Sequence, residues 1–234
     1  LTMNASVDTS ILELDPSAAE GHRVLYEREV PFELRKNESA STAQSGILEA
    51  VRVKVLVMGE DGAVQDVRVE ISAESDLFFH YFHEMNEQAF QAFKQQQKLM
   101  VDFAEYPSTL VRMLNNCIKE PNSFFTLFVY DEEGNGRVDF VQNLEYKYVD
   151  LLSLDFVATP MDQLKNHIHF RYNALKSRLT SYKSQLQEVN NLLKLNNPAL
   201  LLKLQKSPAP STHTPASFMS MSSSGMRNTS ARKL

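Results

Sequence analysis

Cysteine is almost missing from this chain. Cys117 is the only one, so no intramolecular disulfide and no multi-cysteine zinc site can form, and a reducing, cytosolic compartment is the natural expectation. Glycine is scarce as well. Seven glycines in 234 residues leave little for a phosphate-cradling loop, and neither a Gly-rich phosphate motif nor a Gly-x-Ser-x-Gly elbow occurs. There is no basic excess: the net charge is −5, which removes the usual electrostatic motive for binding nucleic acid. No apolar run reaches the length a bilayer span requires. Leu1 to Gly21 is polar and acidic and lacks the apolar core of a signal peptide, so the Asn-x-Ser triplets at Asn4, Asn37 and Asn228 read as chance matches to the glycosylation sequon. These absences set the expectation of a chain without cofactor or metal, without nucleic acid and without a membrane.

What is present begins with a period of two. Val24, Tyr26, Val30, Phe32 and Leu34 mark a strand over Arg23–Arg35. Val51, Val53, Val55 and Val57 then form a strict alternating stripe, the signature of a half-buried strand. Gly-Glu-Asp-Gly at 59–62 supplies a hairpin turn, and Val64, Val67, Val69 and Ile71 suit the returning strand. Glu84–Gln97 is rich in helix formers, with Phe90 and Phe93 on one face. Leu99–Phe103 reads as a short buried strand, after which Pro107 opens a second helix carrying Leu110, Leu114 and Cys117. Three further strands are expected at Ser123–Tyr130, Val138–Glu145 and Tyr148–Val157.

From Met161 the period changes. Ile168, Tyr172, Leu175, Leu179, Tyr182, Leu186, Val189 and Leu193 recur at spacings of 4, 3, 4, 3, 4, 3, 4, the heptad period of a coiled coil. A helix packed on its own sheet drifts toward a period of 3.6, whereas 3.5 implies a second helix. The seam stops before Pro198, which lacks an amide donor and pushes its predecessor out of the helical region. The expected organisation is a flexible segment over 1–22, a globular head over 23–160, a stalk helix over 161–196, and a short helix with a disordered tail over 197–234. The fold class is α+β: a β-sandwich or barrel-like head with an inserted helix-turn-helix, followed by a long helix that forms a short coiled coil.

Candidate chemistry is thin. His167 and His169 lie two apart on a helix and face different ways, and His80 and His83 sit among Phe78, Phe79 and Phe82, so packed or surface histidines are preferred to a metal site. Cys117 continues an apolar helix face and reads as a structural thiol. Asp131–Gly136 has the acidic look of a calcium loop but lacks the ligand spacing and closing Glu, so it reads as a turn. The other late turn, Leu144-Glu145-Tyr146-Lys147-Tyr148, is unusual. It has no glycine and puts large apolar groups where Gly, Asn or Asp is the rule. An aromatic at such a tip suggests a partner.

The stretch Ser75–Asn116 carries more specific information. Phe78, Phe79, Phe90, Phe93, Lys94, Gln96, Gln97, Val101, Asp102, Phe103, Tyr106, Pro107 and Leu114 follow one another in an order that resembles the head domain of the spindle assembly abnormal protein 6 family, the centriolar cartwheel proteins. The order of elements continues to match from about Arg23 to Lys176. The resemblance implies a β-rich head with two helices inserted in mid-sequence. It also implies a non-enzymatic scaffold that assembles with itself, as a homodimer and a higher oligomer, and with other centriolar or basal-body proteins. Its place would be the cytoplasm and cytoskeleton, at the centriole, basal body or a related flagellar or apical structure. Parallel coiled coils would pair chains through Ile168, Tyr172, Leu175, Leu179, Tyr182, Leu186, Val189 and Leu193. A head-to-head contact would use the loop with Leu144, Tyr146, Lys147 and Tyr148, with Tyr146 standing where better known members carry phenylalanine. Those members also continue through a far longer coiled coil, so the chain resembles either an N-terminal piece of the cartwheel protein or its short paralogue. The alternative with the same architecture is an adaptor of the DNA end-joining scaffold type.

Overall fold

The computed structural model describes residues 15–37, 46–60 and 63–199. Seven strands run β1 (Arg23–Lys36), β2 (Ile47–Glu60), β3 (Ala63–Ala73), β4 (His80–Asn86), β5 (Phe124–Tyr130), β6 (Asn135–Leu144) and β7 (Lys147–Ala158). Three α-helices accompany them: α1 (Glu87–Gln97), α2 (Tyr106–Lys119) and α3 (Met161–Asn196). The strands close into a barrel in the order β1-β2-β3-β4-β7-β6-β5. Every neighbouring pair is antiparallel except the parallel β1–β5 pair that closes the ring. This is an α+β head with a barrel in place of an open sandwich.

The alternation read from the sequence fills the barrel. Val51, Val53, Val55 and Val57 of β2 and Val67, Val69 and Ile71 of β3 point inward and are buried. Phe32, Phe128, Val138, Phe140, Leu152, Leu154 and Phe156 meet them in one continuous core. Rings interlock edge-on around Phe128, which lies 5.6 Å from Phe79 and 5.0 Å from Tyr81. Gly136 makes room for this cluster, since a Cβ there would lie 2.5 Å from the Phe128 ring. The inserted helices add Phe90, Phe103, Tyr106, Leu110, Leu114 and Cys117 to the same core, with the Phe90 and Tyr106 rings 5.0 Å apart. The Cys117 thiol is buried, and that burial pushes its pKa up to about 11, so it stays protonated.

Two expectations are corrected. The helix expected from Glu84 starts at Glu87, because His80–Asn86 is a seventh strand, β4. Burial of Tyr81, His83 and Met85 supplies the period of two, and the Asn86 side chain caps α1 by accepting a hydrogen bond from the Ala89 amide at 2.8 Å. The strand expected over Leu99–Phe103 does not form. Lys98 ends α1 in the left-handed conformation, and the chain passes through a turn into a short 3-10 helix, Phe103–Glu105. Lys94 spans that turn by an ion pair to Asp102 at 2.8 Å, which holds the Asp102 carboxyl below its usual range.

Residues 15–22 lie inside the stretch expected to be flexible, yet Pro16–Gly21 forms 3-10 turns kinked at Ala19 and Glu20, with Asp15, Ser17 and His22 buried. Lys54 reaches Asp15 at 2.6 Å, and Ser17 donates to Glu70 at 2.6 Å. Residues 1–14, the loop over 38–45, the tip at 61–62, the short helix expected from Ala199 (from Leu200 on) and the tail lie outside the described residues.

The β4–β7 junction is brief, with Tyr81 opposite Ala158 and Phe82 opposite Val157. Beyond it, side chains take over the β7 backbone. The Ser153 amide donates to the Gln97 side chain at 3.3 Å, and the His83 ring bonds the Asp155 carbonyl at 2.7 Å.

Candidate assembly surfaces

Strands β6 and β7 are joined by a two-residue turn, with Leu144 opposite Lys147 and Glu145–Tyr146 between them. Two-residue hairpins normally use mirror-image turns with positive φ. Neither Glu145 nor Tyr146 has positive φ, so strand twist must be accommodated elsewhere. The hairpin carries a register shift between Phe140 and Val141, which leaves Leu151 as the extra residue on β7, and a bulge of this kind increases local twist. The tip presents its side chains to solvent: Tyr146 is 94% exposed, Tyr148 69% and Leu144 41%. Lys147 is exposed too. Tyr148 is braced edge-on by Phe125 at 5.6 Å.

The second candidate surface lies on α3. The chain divides into one unit through Arg178 and another from Leu179. In the first unit, the start of α3 rests on the barrel through Leu164 and His167, both buried. Arg171 donates to the Ala73 and Leu77 carbonyls at 3.3 and 3.0 Å, tying the helix to the segment that links β3 and β4. One residue round the helix from this docked face, Ile168 is half-buried while Tyr172 and Leu175 are 62% and 54% exposed. In the second unit Leu179, Tyr182, Leu186 and Val189 are each more than half exposed, and Leu193 is half-buried. Scattered exposed apolar residues are ordinary, but a heptad-spaced series of them is not.

Neither sequence-adjacent histidine pair forms a site, as expected from the sequence, but a histidine of each pair meets one of the other. His80 and His83 stand three apart on a strand and therefore face opposite sides of the sheet. His83 packs on Phe156 at 5.6 Å, and burial lowers its pKa. His80 instead meets His167, with ring centroids 4.2 Å apart, and Glu70 joins them. Burial, reinforced by His167, Arg171, Lys54 and Arg68, lowers the His80 pKa to about 2, so its ring is neutral. These three residues are the group among the described ones that could hold a metal ion. Sequence reasoning missed it because its members come from three elements. The one available signal was the strand period at 80–86, which separates His80 from His83.

Within the barrel core lies a void of about 10 Å³ lined by apolar side chains such as Phe32, Ile71, Leu110 and Phe156. Among the described residues no helix is long and apolar enough to cross a membrane.

A side-chain-filled barrel with two inserted helices, followed by a helix bearing a heptad-spaced apolar face, defines a class of α+β barrel heads that lead into a coiled coil. The family model described as "Centriolar protein SAS N-terminal domain" matches residues 24–156, more than half of the chain, and the chain belongs to that family. Its sequence is 26% identical over 146 residues to the spindle assembly abnormal protein 6 homolog of Gallus gallus, covering 59% of this chain and 23% of that protein. The chain thus spans about a quarter of that relative's length. Among solved structures, an N-terminal fragment of Leishmania SAS-6 containing part of its coiled-coil domain matches with a TM-score of 0.61 at 21% identity, covering 74% of this chain and 98% of that one. An N-terminal fragment of Drosophila melanogaster Sas-6, dimerised via its coiled-coil domain, matches with a TM-score of 0.61 at 16% identity, covering 82% and 91%. At these identities the structures establish the fold. None of these matches supports the end-joining adaptor.

Proposed function

We propose that this chain is a self-assembling structural scaffold of the centriolar or basal-body cartwheel, or of a related flagellar or apical cytoskeletal structure. It acts in the cytoplasm as a head (residues 23–160) on a stalk (161–196). Two contacts build the assembly. Stalks pair in parallel through Ile168, Tyr172, Leu175, Leu179, Tyr182, Leu186, Val189 and Leu193. Heads meet through the β6–β7 tip, where Tyr146, flanked by Leu144, Lys147 and Tyr148, enters an apolar recess on a neighbouring head. Other centriolar or basal-body proteins complete the structure.

The observation that carries this reading is the heptad-spaced apolar series on α3, which is more than half exposed at every position from Tyr172 to Val189. A lone helix with this face in water leaves apolar area uncovered, and pairing removes it at about 25 cal/mol per Å². Eight seam positions are near the lower limit for a two-stranded coil, so the dimer is weak and concentration-dependent. Weak links suit a closed ring, because the last contacts form at high effective concentration. The test is sedimentation equilibrium of the full chain. A dimer that Leu179→Asp with Leu186→Asp converts to a folded monomer supports the reading, whereas a chain still monomeric at high micromolar concentration refutes it. Imaging the tagged protein beside a basal-body marker tests the place.

A further inference from the structure

Glu70 on β3, His80 on β4 and His167 on α3 are 3%, 5% and 7% exposed, and each offers one ligand atom within 4.8 Å of the other two. One buried polar atom of the three residues, a Glu70 carboxylate oxygen, lacks a hydrogen-bond partner. His80 Nδ1 bonds Thr159 Oγ1 at 2.7 Å, which fixes the ring and turns Nε2 toward Glu70. There the Glu70 Oε2 atom lies at 3.9 Å, too far for a hydrogen bond. Oε2 accepts from Ser17 Oγ at 2.6 Å, but the other carboxylate oxygen, Oε1, is buried with no hydrogen-bond partner and faces Arg68 Nε at 3.5 Å. A buried carboxylate oxygen left without a hydrogen bond is costly. Of the neighbouring cations, Lys54 lies 2.6 Å from Asp15, and Arg68 is shared between Glu84 at 3.3 Å and Glu70 Oε1 at 3.5 Å.

We propose that Glu70, His80 and His167 bind one divalent transition-metal ion, zinc by the chemistry of the donors. Two imidazole nitrogens and a carboxylate oxygen are a donor set that zinc accepts with short bonds. The spacing here is wider than a hydrogen-bonded cluster needs and closes by small side-chain movements around an ion. Two of the ligands belong to the barrel and the third to the first turns of α3, so the ion is a staple between head and helix, working beside the Arg171 contacts. It ties down the Pro16–Gly21 segment as well, through Ser17 on Glu70. This inference is independent of how chains assemble, and its test does not use assembly.

The full chain is stripped with chelator and titrated with zinc chloride alone, in competition with a chromophoric chelator. The expected result is uptake of one zinc per chain at submicromolar dissociation constant, with a rise in melting temperature. Cobalt in place of zinc should give visible d–d absorption. Glu70→Gln and His167→Gln keep hydrogen-bonding capacity, and each should weaken uptake by at least the roughly 10–100-fold that loss of an outer-shell partner costs. Zinc uptake that persists in both variants would place the ion on other histidines and overturn the proposal. So would uptake no tighter than micromolar in the parent. If either variant fails to fold, the cobalt spectrum of the parent decides, and a spectrum without d–d bands overturns the site.

Discussion

Replacing Tyr146 with glutamate should stop assembly at the dimer without disturbing the head. The ring is 94% exposed in the single chain, so the fold loses almost nothing and the change in stability should stay within about 0.5 kcal/mol. The effect on docking is much larger. An aromatic side chain entering an apolar recess removes roughly 150–250 Å² from water. At about 25 cal/mol per Å² this is worth about 4–6 kcal/mol. Desolvating the hydroxyl costs about 1–3 kcal/mol of that, leaving about 3 kcal/mol, or roughly a hundredfold in Kd. Glutamate loses this and adds a carboxylate that must be buried without a partner, so docking should vanish at accessible concentrations. Tyr146→Phe is the complementary variant: it keeps the ring, drops the hydroxyl cost, and should associate as tightly or more tightly. Sedimentation velocity of the full chain over a concentration series reads both, since the parent should form species beyond the dimer. The same series of species in Tyr146→Glu, or a lowered melting temperature, would refute the reasoning and return Tyr146 to the status of an ordinary surface residue.

Other expectations concern the fold. Arg171→Ala removes two charge-assisted hydrogen bonds to the Ala73 and Leu77 carbonyls and should cost about 1.5–3 kcal/mol for each, read as a fall in urea midpoint. Leu114→Ala, on the buried face of α2, should destabilise by about 2–5 kcal/mol in the same assay while leaving the dimer intact. Burial lowers the His83 pKa, so in acid the unfolded chain takes up a proton that the folded chain refuses. The stability from neutral His83 is fully present above its unfolded value near 6.5 and is lost as pH falls toward the lowered folded value. His83→Phe should therefore show a smaller loss of denaturation midpoint between about pH 7 and pH 5, and an unchanged slope would show that His83 already titrates normally in the fold.

The barrel was legible wherever one face of a strand is apolar and the other is not, as in the Val51–Val57 stripe and its partner over Val67–Ile71. Strand β4 was not. His80, buried on the outer face beneath α3, and Tyr81, buried on the inner face, break the simple alternation, and the helix formers after Glu87 drew the helix boundary too early. Leu99–Phe103 misled for the opposite reason: apolar residues in a short connection resemble a strand when the left-handed Lys98 that turns the chain is not foreseen. Of the candidate sites, the β6–β7 tip could be singled out from local chemistry alone, because a turn without glycine that carries tyrosine is anomalous in itself. The heptad spacing was equally local. The Glu70–His80–His167 group could not be read this way, since it exists only after β3, β4 and α3 have packed together.

The short β4–β7 junction has a consequence for crowding. A scaffold holds many copies of its head at high local concentration, the condition under which exposed strand edges recruit one another into runaway sheets. Here the parallel β1–β5 pair closes one side of the barrel, and at the weak side Gln97 and His83 occupy the β7 amide and carbonyl that an invading strand would need. In the scaffold proposed above, neighbouring heads would find less free backbone at this junction to pair with, and such pairing has no preferred stopping point. That assembly would then rest on side-chain contacts of fixed geometry, which can be broken, corrected and counted.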